Sequence, residues 1–202
     1  ADVDANGNLV GYHGITREIT KRKLLEEQVR QLAFFDPLTK LANRRLLDDR
    51  LAQVLAASKR SGWLGALMFL DLDNFKPLND NHGHEVGDLL LIEVANRLKN
   101  AVREMDTVAR FGGDEFVVML ENLDEDIFDA ANQAETVAIK ILSELNQTYW
   151  LGVSEHHSSP SIGVTLFGEK TETIAEPLKR ADLAMYQAKA AGRNTVRFFD
   201  PK

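Results

Sequence analysis

A chain of 202 residues, 44% hydrophobic and 27% charged, has the length and balance of one core-bearing domain with an appendage. Cysteine is absent, which excludes disulfides, thiolate metal sites and cysteine nucleophiles. A net charge of −7 argues against a broad nucleic-acid-binding surface, so a polyanionic ligand would need local cations or a bound metal. No apolar run approaches the roughly 20 residues that span a bilayer and no signal peptide opens the sequence, so the expected location is cytoplasmic. A membrane anchor in segments outside this chain stays open.

In chain order, Asp2 to Asn8 is turn-rich, and Leu9 to Ile15 reads as one closing strand without an evident partner. A helix follows from about Thr20 to Phe35. Leu25, Val29 and Leu32 have the 4-3 rhythm that suits either a coiled-coil seam or a helix packed on its own domain. Asp36-Pro37 reads as an N-cap with proline at the first helical position. A second helix is predicted from Asn43 to Ser58. Gly65 to Asp73 is a continuous apolar run, hence a buried central strand, with Asp71 and Asp73 pointing to one face at its end. The polar stretch Asn74 to Asp88 reads as a short helix and loop with a binding role. A long helix is expected from Val86 to Arg103 and another from Asp126 to Leu145. Tyr149–Val153 and Ser161–Phe167 are expected to pair as a hairpin, with His156 and His157 solvated in its loop. A helix from Pro177 to Ala190, closed by Gly192, precedes a last strand from Thr195 to Phe199.

The most informative stretch is Val108 to Leu120, two apolar runs around Gly112-Gly113, which reads as a β-hairpin. Asp114 and Glu115 follow the glycines at once, and acidic residues are poor strand formers. Such a tip is either merely solvated or holds a hard cation and a phosphate together. Asp71 and Asp73, desolvated at a strand end, need a partner: either they face a metal, which Asp71 would share with Asp114 and Glu115, or they are capping carboxylates at the strand end. His82 and His84 lack further ligands at zinc-site spacing. The element order predicts an α/β (α+β) fold, a central mixed, mainly antiparallel sheet flanked by helices.

From Asp36 onward the sequence resembles the GGDEF family of diguanylate cyclases. Gly112-Gly113-Asp114-Glu115-Phe116 stands intact behind Arg110, and further blocks agree in order and spacing. They are Asp36-Pro37-Leu38-Thr39 with Asn43-Arg44, Asp71 to Lys76 with Asn79-Asp80, Gly83-His84 and Gly87-Asp88, Ser161 to Val164, and Ala181-Asp182 through Arg193-Asn194. Lys40 departs from the pattern, which usually has Gly there. The resemblance implies a nucleotidyl-cyclase or polymerase-palm-like fold and the condensation of two GTP into cyclic di-GMP and two pyrophosphates. It implies Mg2+ or Mn2+ held by Asp71, the Leu72 carbonyl, Asp114 and Glu115. Asn79 and Asp88 would read guanine; Phe75, Lys76, Gly112, Gly113, Lys189 and Arg193 would line the nucleotide site. Asp71, Asp114, Glu115 and Lys76 would carry the catalysis. Each domain would hold one GTP, so activity implies a homodimer.

Arg103 and Asp106, three apart, are either a surface ion pair or, by the resemblance, an inhibitory site for cyclic di-GMP. Asp4-x-x-Gly7-x-x-x-Gly11 followed by Ile15 to Thr20 resembles the end of a PAS sensor domain. The expected organisation is thus 1–20 PAS remnant, 21–35 signalling helix and 36–202 GGDEF domain, with room for a following EAL phosphodiesterase domain. The rival reading is a GTP-binding regulatory domain without turnover that controls such a neighbour. A different purine nucleotidyl cyclase or polymerase-like palm is a third, against which Asn79 with Asp88 favours guanine.

Overall fold

The computed structural model describes residues 2–11, 13–168 and 172–200. Strands β1 (Asp2–Val3) and β2 (Leu9–Gly11) pair antiparallel and lead into a long helix, α1 (His13–Phe34). The strand expected over Leu9–Ile15 is thus shorter, has β1 as partner, and gives way to helix by His13; Tyr12 lies outside the described residues. Leu24, Leu25, Val29 and Leu32 of α1 are exposed, so this helix is not packed on the domain along that row.

Asp36-Pro37 opens a turn, not a helix. The Asp36 carboxylate accepts the Thr39 N–H at 2.8 Å and the Thr39 hydroxyl at 2.7 Å, and Lys40 leaves the turn at φ 59°. That left-handed conformation suits glycine better than lysine. The helix begins later, at α2 (Arg44–Ser61), where Asn43 caps by accepting the Leu46 N–H at 3.1 Å.

The core is built on β3 (Gly65–Leu72), buried along its whole length. After it come α3 (Phe75–His82), α4 (His84–Ala101), the hairpin of β4 (Thr107–Gly112) and β5 (Glu115–Leu120), and α5 (Ile127–Leu145). Strands β6 (Tyr149–Leu151), β7 (Ser154–His156) and β8 (Pro160–Phe167), helix α6 (Ala175–Ala190) and β9 (Val196–Phe198) complete the chain. The main sheet runs β4-β5-β3-β8-β9, antiparallel except for the parallel β8–β9 pair.

Strand alternation assigns the two faces. Ala66, Met68, Leu70 and Leu72 join the core formed with α4 and α5; Leu67 and Phe69 join the one formed with α2 and α6. This is the mixed, mainly antiparallel sheet flanked by helices that the element order predicts. A side chain at Gly163 of β8 would strike the backbone of α6 at Ala181 and Met185, so α6 lies directly on the sheet.

One expected pairing is wrong. Tyr149–Leu151 does not pair with β8 but with β7, through the two-residue turn Gly152–Val153, forming a separate small ribbon. His156 lies in that ribbon, half-buried, not in a loop; His157 is exposed just beyond it. Strand β8 instead lies beside β3 in the main sheet.

Candidate functional site

The alternation that sorts the core also sorts the carboxylates. Asp71 and Glu115 sit opposite each other in the β3–β5 register and share the face covered by α6. Asp114 occupies the turn with Gly113, whose φ is 51°. Leu72 N–H donates to the Asp114 carbonyl at 3.3 Å, so that edge of Leu72 faces the turn. In an extended strand a residue's C=O lies on the same edge as its N–H, which turns the Leu72 carbonyl toward Asp114 as well.

Burial pushes the Asp71 carboxyl up; the Lys189 ammonium opposes this, and Asp114 and Asp73 add to it. Glu115 is raised by burial and then by Asp71, Asp114 and Asp182. Such mutual repulsion around oxygen donors is the condition a hard cation relieves. Among the described residues no three acidic or histidine side chains are already drawn together closely enough to ligate a metal. The donor chemistry fits a divalent cation. The partner that Asp71 has in this structure is Lys189 Nζ, 2.7 Å from Oδ2.

Asp73, expected to share the metal-facing role of its strand end, does something else. It accepts the hydroxyls of Ser159 and Ser161, each at 2.7 Å, and the Asn194 N–H at 3.0 Å. Arg193 and Asn194 both have positive φ (64° and 46°), and this double left-handed turn delivers the Asn194 N–H. Asp73 is therefore a fastener between β3, β8 and the end of α6.

The hairpin tip is clamped by a contact that sequence spacing does not reveal. Arg110 reaches the Gly113 carbonyl with Nε (3.0 Å) and Nη2 (2.7 Å), and its Nη1 pairs with Asp36 at 3.2 Å. Burial works against the Asp36 charge, but the Thr39 N–H and hydroxyl and the Arg110 guanidinium prevail and hold the carboxyl below its ordinary value. A Cβ at Gly112 or Gly113 would meet nothing within 4 Å, so the space above the turn is open.

On the other side of the strand end lies the α3–α4 elbow. Asn79 Oδ1 is buried and has no hydrogen-bond partner among the described residues. Gly87, one turn into α4, is what makes room for it, since a Cβ there would overlap Asn79 Oδ1 and crowd Phe75 at 3.2 Å. In the sequence Gly87 stands out as a glycine near a helix start and as part of the Gly87-Asp88 block of the resemblance, whereas its contact with Asn79 is not readable there. Asp88, Lys76 and Arg193 are exposed and Phe75 is half-buried.

Arg103 and Asp106 do not form an ion pair among the described residues. Asp106 instead accepts the backbone N–H groups of Arg103 (2.9 Å) and Glu121 (3.3 Å), leaving the Arg103 guanidinium exposed. A cavity of about 320 Å³ adjoins it, walled in part by Phe35, Lys40, Arg50 and Lys99.

Known proteins resemble this chain over most of its length. The profile of the family described as "Diguanylate cyclase, GGDEF domain" matches residues 33–195. The chain is 47% identical over 170 residues to MucR of Pseudomonas aeruginosa, named a bifunctional diguanylate cyclase/cyclic di-GMP phosphodiesterase, covering 84% of this chain and 24% of that protein. It thus spans about a quarter of that relative. Among solved structures, the GGDEF domain of TpbB (YfiN) from P. aeruginosa superposes with a TM-score of 0.77 at 36% identity, covering 82% of this chain and 94% of that one. The coiled coil and GGDEF domain of DgcB from Caulobacter crescentus, solved with c-di-GMP, gives 0.80 at 29% identity, covering 91% and 94%. No described helix is long and apolar enough to cross a membrane. With its signature turn intact and its family profile matched over most of its length, the chain belongs to the GGDEF-domain family of diguanylate cyclases.

Proposed function

We propose that this chain is a catalytically competent diguanylate cyclase domain that condenses two GTP into cyclic di-GMP. The observation that carries nucleotide binding is Asn79 Oδ1, buried against Gly87 at the α3–α4 elbow with no hydrogen-bond partner among the described residues. A buried polar atom without a partner is costly unless a ligand satisfies it, and guanine's ring N–H and amino group are suitable donors. Asn79 reads the base together with Asp88. Lys76, Lys189, Arg193 and Phe75 flank the phosphates, and the open space at Gly112 and Gly113 admits them to the backbone.

Asp71, Asp114 and the Leu72 carbonyl, supported by Glu115, would hold a divalent cation, magnesium or manganese, which when bound offsets charge on the phosphates. The reaction is attack of one GTP's 3′-hydroxyl on the α-phosphorus of another, with pyrophosphate leaving, followed by the reciprocal step. Glu115, whose carboxyl is raised by burial and then by its acidic neighbours, would take the hydroxyl proton. With one GTP per domain, two copies must face each other, and the exposed Leu25, Val29 and Leu32 row of α1 is the surface that would pair them. Product binding at Arg103 and Asp106 restrains the enzyme. A PAS-type sensor upstream and an EAL domain downstream would complete the full protein.

Incubation with GTP and magnesium, with chromatographic detection of cyclic di-GMP, tests the proposal. Product that vanishes in Asp114→Ala supports it, and loss of product inhibition in Arg103→Ala supports the feedback site. No product at concentrations that force dimers would favour a GTP-binding regulatory domain, the reading that a relative bearing both activities keeps in view.

A further inference from the structure

The pair Lys189–Asp71 raises a question of charge balance. Asp71 is almost fully buried; Asp114 and Asp73 repel its charge, Glu115 lies opposite and repels it too, and Lys189 opposes them. An ammonium on the Asp71 carboxylate and a divalent cation ligated by it compete for the same oxygens, because two cations cannot share so close a space. The backbone of Lys189 is fixed, its carbonyl accepting the Gly192 N–H at 3.3 Å at the end of α6. Its side chain is 32% exposed, so the ammonium can leave without disturbing the core beneath, where Met185 and Ala188 are buried. Glu115 also feels the Lys189 charge, so the ammonium lies within the acidic cluster as a whole.

We propose that Lys189 is a stand-in cation that neutralises Asp71 until a divalent ion takes the carboxylate, and is thereby released toward the substrate triphosphate. This rests on the reading of Asp71 as a metal ligand. Metal and nucleotide then bind cooperatively. The metal frees the lysine that the phosphates need, and by linkage the nucleotide strengthens metal binding by the same factor. The protein without nucleotide holds divalent cations weakly.

The test is Mn2+ binding in the absence of nucleotide, followed by the paramagnetic resonance of free Mn2+. Lys189→Met binds Mn2+ about tenfold more tightly than the unmodified protein, as expected for removing one competing charge at contact. Lys189→Arg, which keeps the charge, binds as weakly as the unmodified protein. Lys189→Gln is measured in parallel so that the result does not hang on one variant, and thermal melts establish that each is folded. If neither neutral variant binds more tightly while Asp71→Asn still weakens binding, the stand-in role is refuted and the metal assignment stands. If Asp71→Asn leaves Mn2+ binding unchanged, the metal assignment falls and the stand-in role falls with it.

Discussion

The central strand ends between two acidic neighbourhoods that use the same residue type in opposite ways. On the β8 side, Asp73 is held by two hydroxyls and a backbone N–H. These donors belong to the frame and have nowhere else to go, so the carboxylate is spent on structure. On the β5 side, Asp71 faces Asp114 and Glu115 and is balanced by one long side chain from α6. A carboxylate satisfied by fixed neutral donors is a fastener; one satisfied by a movable charge is available for chemistry.

The largest effects follow from exchanging these roles. Asp71→Asn should lower cyclic di-GMP formation by about 10³-fold or more, because it removes charge from the proposed metal site, with little change in urea unfolding. Asp73→Ala should do the reverse, costing about 3 kcal/mol of stability by stranding three donors, and a folded Asp73→Ala protein should retain turnover. Equal stability loss in both variants would erase the distinction between the two sides. Next is Gly87→Ala, which drives Asn79 from its place and should weaken GTP binding roughly 100-fold by calorimetry while leaving Mn2+ binding as it was.

A smaller effect concerns the clamp on the hairpin. The folded Asp36 carboxyl lies below its ordinary value, so its contribution is present above the unfolded value of about 3.9 and lost as pH falls through the folded one. Asp36→Asn should therefore cost about 1 kcal/mol at neutral pH, and the difference from the unmodified protein should close below pH 4 in denaturant titrations. The smallest is Lys40→Gly, which relieves a left-handed lysine and should gain about 0.5 kcal/mol, read as a slightly higher melting temperature.

Much of this was legible in the sequence where the signal is local. The apolar run from Gly65 to Leu72 announced a strand buried on both faces, and the paired glycines announced the turn between β4 and β5. What failed was competition between local signals and distant partners. Asp36-Pro37 has the chemistry of a helix start, but its carboxylate is claimed by Arg110, 74 positions away in the chain, and the cap falls to Asn43. Ser154–His156 is too polar and short to look like a strand, so the sequence pattern points Tyr149–Leu151 to the wrong partner. Strand β8 carries its own correction, since a run as apolar as Ile162 to Val164 belongs inside a sheet rather than in a solvated hairpin. For the site, the residue types at Asp71, Asn79 and Asp114 were readable, whereas the division of labour between Asp71 and Asp73 depends on Ser159, Ser161 and Asn194, which only folding brings to one place.

The junction of α1 with the rest of the chain has a consequence for anyone who would splice this domain to a sensor module. Asn43 donates its side-chain amide to the Ala33 carbonyl and its backbone N–H to the Phe34 carbonyl, and Ala42 bridges both Phe35 and Ala109 of β4. The last turn of α1 is therefore part of the folded unit, and the helix leaves it at a fixed rotational phase. Each residue inserted upstream turns the attached module by about 100° and moves it about 1.5 Å, whereas seven residues restore the phase to within about 20°. A fusion library stepped one residue at a time across Lys21 to Gln31 should thus give output that rises and falls with the pitch of a helix, not with linker length.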